Sequence, residues 1–93
     1  MRGHEQAGRR FCVVVQSDEL ASMSTVIVAP TSTRAQPTSF RPEISIGGSR
    51  TRVMLEHVQA VDPGRLGESH GLVGYGELED IDRALLTVLG LDR

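Results

Sequence analysis

The sequence predicts a small, mainly β domain that ends in a single α-helix. Two observations support this prediction. Along most of the chain, short β-branched apolar runs alternate with turn-forming Gly, Pro and Ser residues, which is typical of strands and their connections. From residue 77 onward, the apolar residues recur instead at the spacing of one helix face. We therefore expect one domain over residues 1–93, with a strongly curved antiparallel sheet or open barrel against which the helix packs.

The first half of the chain is predicted to hold two buried strands between loops. Residues 1–10 are polar and flanked by glycine, so they are predicted to form a loop. The strands are FCVVVQ at 11–16 and TVIVA at 25–29, with a connection that has room for one helical turn. Pro30 should end the second strand, because it has no N–H to donate to a sheet. The Ser-, Thr- and Pro-rich segment 31–42 is then a surface loop whose length suggests a function.

The second half of the chain adds further strands. Residues 43–46 are a third candidate, with Ile44 and Ile46 on one face, and the glycine pair that follows is a strong turn signal. The run RVMLEHVQAV at 52–61 is the longest strand candidate. Turn residues close this run, and a short extended piece at 71–73 can add an edge to the sheet.

Apolar spacing and end signals together define the terminal helix. Acidic residues near its start, among them Glu77, suit the positive end of the helix dipole. Gly90 is expected to cap its C-terminal end. The predicted buried stripe consists of Leu78, Ile81, Leu85, Val88 and Leu89.

Charge and cysteine content limit the classes of function. A formal net charge of -2 excludes a broad basic field, so any contact with nucleic acid must be local. All ten cationic residues are arginine, which suits forked binding of phosphate, although a high-GC coding bias explains the same observation. The lone Cys12, expected in the core, excludes an intramolecular disulfide and a cysteine-based zinc site. No apolar run is long enough to span a membrane, so we expect a cytoplasmic protein without membrane contact.

Several segments resemble the MazF/PemK toxins in sequence, order and spacing. The strongest is GHEQAGRR at 3–10 followed by FCVVVQ, and the second is TVIVAPTSTR at 25–34. VMLEHVQAVD at 53–62 and the helix at 78–91, which ends in Leu-Gly-Leu, also match the family in order. The resemblance implies an SH3-like small barrel, the fold shared by the CcdB and PemK toxins.

The resemblance also implies an activity. Toxins of this family are endoribonucleases that cut single-stranded messenger RNA at short specific sequences and so inhibit translation. The RNA 2′-hydroxyl attacks the adjacent phosphodiester, which leaves a 2′,3′-cyclic phosphate and a 5′-hydroxyl, and neither a metal nor another cofactor is needed. Expected partners are single-stranded RNA, a second copy of the chain in a homodimer, and a cognate antitoxin that blocks the site with a flexible acidic tail.

Three residues match the catalytic positions of the family. Arg10, the last residue of GHEQAGRR, is expected to bind the scissile phosphate, and Ser32 supplies the hydroxyl. A slip of one residue in the alignment would select Thr31 or Thr33 instead. Glu5 is expected to hold Arg10 or to take part in proton transfer. Without the resemblance, Arg10 is a solvated loop charge and Ser32 a turn residue that caps its own backbone.

A second group of residues is expected to contact the RNA. Among them, Glu56 has an alternative role as a buried residue that braces the loop, and alternation along the strand places it on the opposite face from His57. His4 is interpreted as an exposed loop residue, with proton transfer as the alternative. The expected RNA-binding residues are Arg9, Thr31, Thr33, Arg34, Glu56 and His57.

The chain departs from the family pattern in ways that leave alternatives open. Phe11 stands where the family has proline, and His57 and Gln59 replace its Gln and Arg. Family members also have a strand ahead of the Gly-x-Glu-Gln loop, so we expect that strand to be absent here, with a neighbouring edge unpaired, or the true start to lie upstream. One alternative function is a remnant that binds an antitoxin without cutting RNA. A CcdB-like gyrase poison is disfavoured, because the C-terminal end carries no tryptophan.

Overall fold

The computed structural model describes residues 3–7 and 10–93, apart from the side chains of residues 5–7. Within these residues the chain forms seven strands and one α-helix, α1, at Tyr75–Val88. Short 3₁₀ turns lie at Asp18–Leu20, Leu55–His57 and Pro63–Arg65. The strands are β1 at Gly3–Ala7, β2 at Arg10–Val14, β3 at Val26–Ser32, β4 at Glu43–Ile46, β5 at Ser49–Val53, β6 at Gln59–Val61 and β7 at Leu66–Leu72.

All strand pairs are antiparallel and form one curled sheet in the order β4-β5-β3-β2-β1-β7, with β6 paired to β3. The predicted class, mainly β with a terminal helix, is confirmed. β3 is the central strand, since β2 pairs along one of its edges and β5 and β6 pair along the other. The residues near both ends of β3 therefore have a fixed position relative to three other strands.

The N-terminal segment that we predicted as a loop is a strand. β1 pairs with β2, with His4 opposite Val13, and it also pairs with β7. The edge that we expected to be unpaired is therefore covered. His4 is 4% exposed rather than on the surface, since it shares the inner face of the sheet with Val13. Sequence patterning missed β1 because backbone hydrogen bonds to two neighbours, and not apolar alternation, hold it in the sheet.

Pro30 does not end the second strand, which continues to Ser32. Pro30 lies between the part of β3 that pairs with β6 and the part that pairs with β5, where its missing N–H costs little. Its carbonyl oxygen accepts a hydrogen bond of 2.8 Å from the Met54 N–H. The surface loop therefore begins at Thr33, two residues later than predicted.

The longest predicted strand, at 52–61, is interrupted. β5 and β6 pair with the same edge of β3. The five residues between them, 54–58, lie opposite only two residues of β3, Ala29 and Pro30. The five residues fit because three of them, Leu55–His57, coil into a 3₁₀ turn. This turn carries Leu55 inward, where its side chain is 0% exposed. Burial of Leu55 thus overrides the strand propensity of the run.

The β4–β5 hairpin confirms the prediction for the middle of the chain. Ile44 and Ile46 are buried, and Gly47 and Gly48 form the turn with φ of 58° and 85°. These positive φ values at both central residues are the geometry that favours glycine in a two-residue hairpin loop. β7 is longer than the predicted edge piece at 71–73, because its exposed polar residues pair through the backbone with β1.

α1 begins two residues before Glu77 and ends as predicted. The Glu77 carboxylate accepts hydrogen bonds from the N–H of Gly74, at 3.4 Å, and of Ser45, at 2.8 Å, which ties the helix start to β4. At the other end Gly90 has a φ of 69°, and its N–H donates to the Thr87 carbonyl. A bond of 2.8 Å from the Leu91 N–H to the Leu86 carbonyl completes a Schellman motif.

The core lies between α1 and the inner face of the sheet. Leu89, which we predicted in the buried stripe, is 57% exposed because it lies at the end of the helix, beyond the sheet. Ala84, which is not part of the predicted stripe, is 1% exposed and belongs to the core. Cys12 is buried, as predicted. The buried cluster contains Val13, Val15, Ala29, Ile44, Ile46, Val53, Leu55, Val73, Ile81 and Ala84.

Candidate active site

A cleft of about 370 Å³ opens where the start of β2 meets the end of β3. Five of the predicted site residues line it together, although they come from two segments about twenty residues apart in the chain. The hairpin of β4 and β5 forms the opposite wall. The lining residues are Arg10, Phe11, Thr31, Ser32, Thr33, Arg34, Ile46, Ser49 and Thr51.

The curled sheet explains why these residues meet. The register places Cys12 opposite Pro30, so the residues that flank this pair, Arg10 and Ser32, lie at the same end of the two strands. Arg10 is the first residue of β2, and its side chain is exposed. Its guanidinium therefore remains accessible to a ligand in the cleft.

The three adjacent hydroxyl residues have different environments. Thr31 is 4% exposed and its hydroxyl donates a hydrogen bond of 2.9 Å to the Phe11 carbonyl, which ties β3 to β2. Ser32 is half-buried, and its Oγ accepts a hydrogen bond of 3.1 Å from the Arg34 N–H. The turn-capping role that we considered for Ser32 is therefore present, but its hydroxyl hydrogen can still be donated to a ligand. Thr33 is exposed in the turn that follows.

The electrostatic character of the cleft is cationic. Arg10 and Arg34 both line it, and none of the described lining residues is acidic. The net charge of the chain is nevertheless -2, so the positive potential is local to this cleft. Forked guanidinium groups in such a setting are suited to bind phosphate oxygens.

Glu56 and His57 lie outside this lining. Both are in the 3₁₀ turn after β5, so the predicted strand alternation of their side chains is wrong. Glu56 accepts a hydrogen bond of 2.6 Å at Oε2 from Nε of Arg41 and pairs with a second nitrogen of that guanidinium. Arg41 also donates to the Gln36 carbonyl, at 3.3 Å, and its guanidinium lies 5.6 Å from the centre of the Phe40 ring. Glu56 thus braces the loop at 33–42, as its alternative interpretation proposed.

Two opposing effects determine the ionisation of Glu56. Partial burial raises the pKa of its carboxyl group, but the hydrogen bond and positive charge of Arg41 outweigh burial and hold the pKa below its ordinary value of 4.5. The carboxylate is therefore charged at neutral pH. His57 is exposed.

We predict that Glu56→Gln loosens the brace and destabilises the fold by about 1 kcal/mol, which lowers the thermal midpoint by about 4 to 8 °C near pH 7. Because the pKa of Glu56 is lowered in the folded state, the charged group contributes its full stabilisation above pH 4.5. This contribution is lost as the pH falls through the lower folded-state pKa. Thermal unfolding of both proteins at several pH values should therefore show a gap that narrows in acid.

Glu43→Gln is the matched control for this prediction. Glu43 pairs with Arg50 and, at 3.7 Å, with Arg52; its own side chain is exposed, so these ion pairs contribute little. A gap for Glu56→Gln that is no larger than the one for Glu43→Gln, or that widens below pH 4.5, would contradict the proposed brace.

Two predicted residues, Arg9 and Glu5, lie wholly or partly outside the described part of the chain. Arg9 lies outside the described residues. The backbone of Glu5 lies in β1 opposite Cys12, two positions along the strand from Ala7, which is the partner of Arg10. The side chain of Glu5 also lies outside the described part of the chain.

Sequence reasoning missed several lining residues. Ile46 was predicted to share a face with Ile44 but was not linked to the site, and alternation from Val53 could have placed Thr51 on the same inner face of the hairpin. Phe11 was noted only as a departure from the family pattern, and no sequence signal linked Arg41 to Glu56. Among the side chains that the structure describes, those of residues 3–4 and 10–93, no three His, Cys, Asp or Glu are grouped so that they could hold a metal ion. The helices in this described part are too short or too polar to cross a membrane.

Comparison with known proteins assigns the chain to a family. Residues 1–89 match the PemK-like, MazF-like toxins of type II toxin–antitoxin systems. A curated protein of Mycobacterium tuberculosis strain H37Rv that is named as a toxin is 35% identical over 91 residues, which cover 97% of this chain and 85% of that protein.

Solved structures show the same fold at lower identity. The Mycobacterium tuberculosis toxin MazF-mt6 is 15% identical with a TM-score of 0.83, over 99% of this chain and 98% of that one. An endoribonuclease in complex with its cognate antitoxin, from a mycobacterial species, is 17% identical with a TM-score of 0.84, over 99% and 93%. MazF in a MazE-MazF structure from Deinococcus radiodurans is 18% identical with a TM-score of 0.81, over 97% and 94%. Since the family match spans nearly all of the sequence and the structure carries the corresponding half-barrel and helix, this chain belongs to the PemK-like, MazF-like family of toxins of type II toxin–antitoxin systems.

Proposed function

We propose that this toxin is an endoribonuclease that cuts single-stranded messenger RNA at short specific sequences and so inhibits translation. The observation that carries the proposal is the cleft in which Arg10, Ser32 and Arg34 meet without an acidic residue among the described lining. Such a cleft suits an anionic phosphodiester. Among the solved structures of this fold, two from mycobacterial species are named endoribonucleases, which supports the same activity.

The proposed reaction needs no metal, because RNA carries its own nucleophile. A base removes the proton of the 2′-hydroxyl, the 2′-oxygen forms a bond to phosphorus, and the bond from phosphorus to the 5′-oxygen breaks. The leaving 5′-oxygen takes up a proton. The products are a 2′,3′-cyclic phosphate and a 5′-hydroxyl. What the protein must supply is charge stabilisation at the pentacoordinate phosphorus and two proton transfers.

We propose Arg10 and Ser32 as the residues that stabilise that charge. The exposed guanidinium of Arg10 can bind two phosphate oxygens at once. The Ser32 hydroxyl, whose oxygen accepts from the Arg34 N–H, can donate its hydrogen to one of these oxygens. Glu5 is the proposed base or the group that orients Arg10. Its backbone lies in β1, two positions from Ala7, which pairs with Arg10. Thr33 and Arg34 would bind the adjoining nucleotide from the turn after β3.

The same proposal includes two protein partners. A cognate antitoxin would block the cationic cleft with an acidic segment, as charge complementarity favours. MazE-MazF structures and an endoribonuclease with its cognate antitoxin, all of this fold, support such a partner. A homodimer would bury the apolar surface that Leu86, Leu89 and Leu91 expose at the end of the helix.

The proposal is tested by incubating the purified chain with a long single-stranded RNA in EDTA and mapping the new ends. We expect discrete cuts that leave cyclic phosphate and 5′-hydroxyl ends. Ser32→Ala should cut on the order of 10- to 100-fold more slowly, because it loses a hydrogen bond to a charged group.

Thr31→Val is the comparison variant, because it removes the neighbouring hydroxyl with little change in shape. Its hydroxyl is already bonded to the Phe11 carbonyl, so we expect a stability loss of about 1 to 3 kcal/mol but near-normal cleavage by the folded protein. Intact RNA in EDTA would refute the metal-free reaction. A larger catalytic loss in Thr31→Val than in Ser32→Ala would refute the choice of Ser32.

A further inference from the structure

Phe11 is the aromatic residue positioned at the cleft. The chain has three Phe, Tyr or Trp residues in all. Phe40 packs against the core below Arg41, and Tyr75 is 81% exposed at the start of α1, outside the cleft lining. Phe11 lines the cleft directly after Arg10 in the chain and is half-buried, so part of its surface is open to a ligand.

A second ring lies against Phe11. The imidazole of His70, an exposed residue of β7, is 4.8 Å from the Phe11 ring between centroids, with an angle of 84° between the planes. The pair reaches across β1, which separates β2 from β7 in the sheet. In this edge-to-face arrangement the edge of one ring lies against one face of the other, so each ring keeps at least one face that its neighbour does not cover. Core packing on one side of Phe11 also limits its motion.

Proteins that bind single-stranded RNA combine cationic groups, which bind the phosphates, with aromatic side chains, on which the bases stack. The bases of such RNA are unstacked from a partner strand, and each offers a π-face to aromatic side chains. A nucleotide whose phosphate is bound by Arg10 would carry its base within reach of the neighbouring Phe11. Stacking on that ring would exclude water from the apolar part of the cleft lining, to which Phe11 and Ile46 contribute.

We propose that Phe11 and His70 form a stacking platform for one base of the RNA, adjacent to the phosphate that Arg10 binds. The proposal rests on the proposed ribonuclease activity and adds a base-binding subsite to it. Since every base has a π-face, the platform contributes affinity and alignment of the scissile bond rather than strict sequence choice. Sequence choice then depends on polar groups elsewhere in the cleft.

The test uses an RNA oligonucleotide that contains the mapped cleavage sequence and a 2′-deoxy sugar at the scissile nucleotide, which prevents cutting. In two versions of it, 2-aminopurine replaces the base on one or the other side of the scissile phosphate, because stacking quenches its fluorescence. With the wild-type chain we expect quenching in one version. Phe11→Leu should abolish the quenching and weaken binding about tenfold, in the range of one lost base–aromatic contact, whereas Phe11→Tyr should keep both.

Two further variants separate stacking from folding. His70→Ala changes an exposed side chain, so the protein should stay folded while the quenching decreases. Tyr75→Leu removes an exposed aromatic ring that is not part of the cleft lining and should change neither quenching nor affinity. Thermal midpoints of all variants confirm that each is folded.

The outcomes distinguish this proposal from the function on which it rests. Unchanged quenching and affinity in both Phe11→Leu and His70→Ala, while Arg10→Ala still loses cleavage, would overturn the platform and leave the ribonuclease intact. Failure of the wild-type chain to bind or cut any RNA would overturn both.

Discussion

Replacement of Arg10 by alanine should slow RNA cleavage by about 100- to 1,000-fold, the loss expected when one donor to a developing phosphate charge is removed. Arg10 is exposed at the first residue of β2, so the fold does not depend on its side chain. The thermal midpoint of the variant should therefore match that of the wild type. The measurement is the initial cleavage rate of a defined oligonucleotide in EDTA, with unfolding followed in parallel.

Two controls sharpen this prediction. Arg10→Lys keeps the charge but loses the two parallel hydrogen bonds of the guanidinium, so it should recover only part of the rate. Arg83→Ala removes an exposed arginine from the middle of α1, where its only described ion pair is with Asp80, and should cut RNA normally. An Arg10→Ala protein that cuts as fast as Arg83→Ala would remove Arg10 from the site.

The second large effect is expected in the core. Leu55→Ala should lower the free energy of unfolding by about 2 to 5 kcal/mol, the range for removing a buried leucine side chain. Leu55 is completely buried, and the 3₁₀ turn that carries it packs against both α1 and β3. A domain of this size has a total stability of roughly 5 to 14 kcal/mol, so the variant should unfold at much lower urea concentration.

Leu20→Ala is the matched control for Leu55→Ala, because it is the same substitution at an exposed position of another 3₁₀ turn. It should change stability by no more than about 0.5 kcal/mol. Equal shifts in the urea midpoint for the two variants would show that the 3₁₀ turn at Leu55–His57 does not carry a core residue. The difference in stability between the two variants also tests whether a 3₁₀ turn at Leu55 interrupts the run at 52–61.

The sequence predicted those parts of the fold in which local and tertiary preferences agree. The buried runs in β2 and β3, the glycine turn between β4 and β5 and the amphipathic helix with its Gly90 cap each carry a local signal. Their apolar residues are the ones that the sheet and helix bury. The predictions failed where a segment depends on distant partners, as β1 and β7 do, since they are polar and are held by backbone pairing.

The candidate site divides in the same way. The family resemblance selected Arg10 and Ser32 from the sequence, and both line the cleft. It did not distinguish among Thr31, Ser32 and Thr33, because a hydroxyl's availability depends on which atoms approach it in three dimensions. Their environments differ in the structure: the Thr31 hydroxyl donates to the Phe11 carbonyl, the Ser32 oxygen accepts from the Arg34 N–H, and Thr33 is exposed.

Local sequence was thus sufficient for the class of fold and the order of its main elements, because period, turn chemistry and caps act within a few residues, whereas the candidate site residues came from the family resemblance. Tertiary structure alone decided that Glu56 braces a loop through Arg41, that His4 is buried and that Phe11 meets His70. Each of these contacts joins segments that lie far apart in the chain. Such contacts form only when the sheet curls, so no pattern of neighbouring residues predicts them.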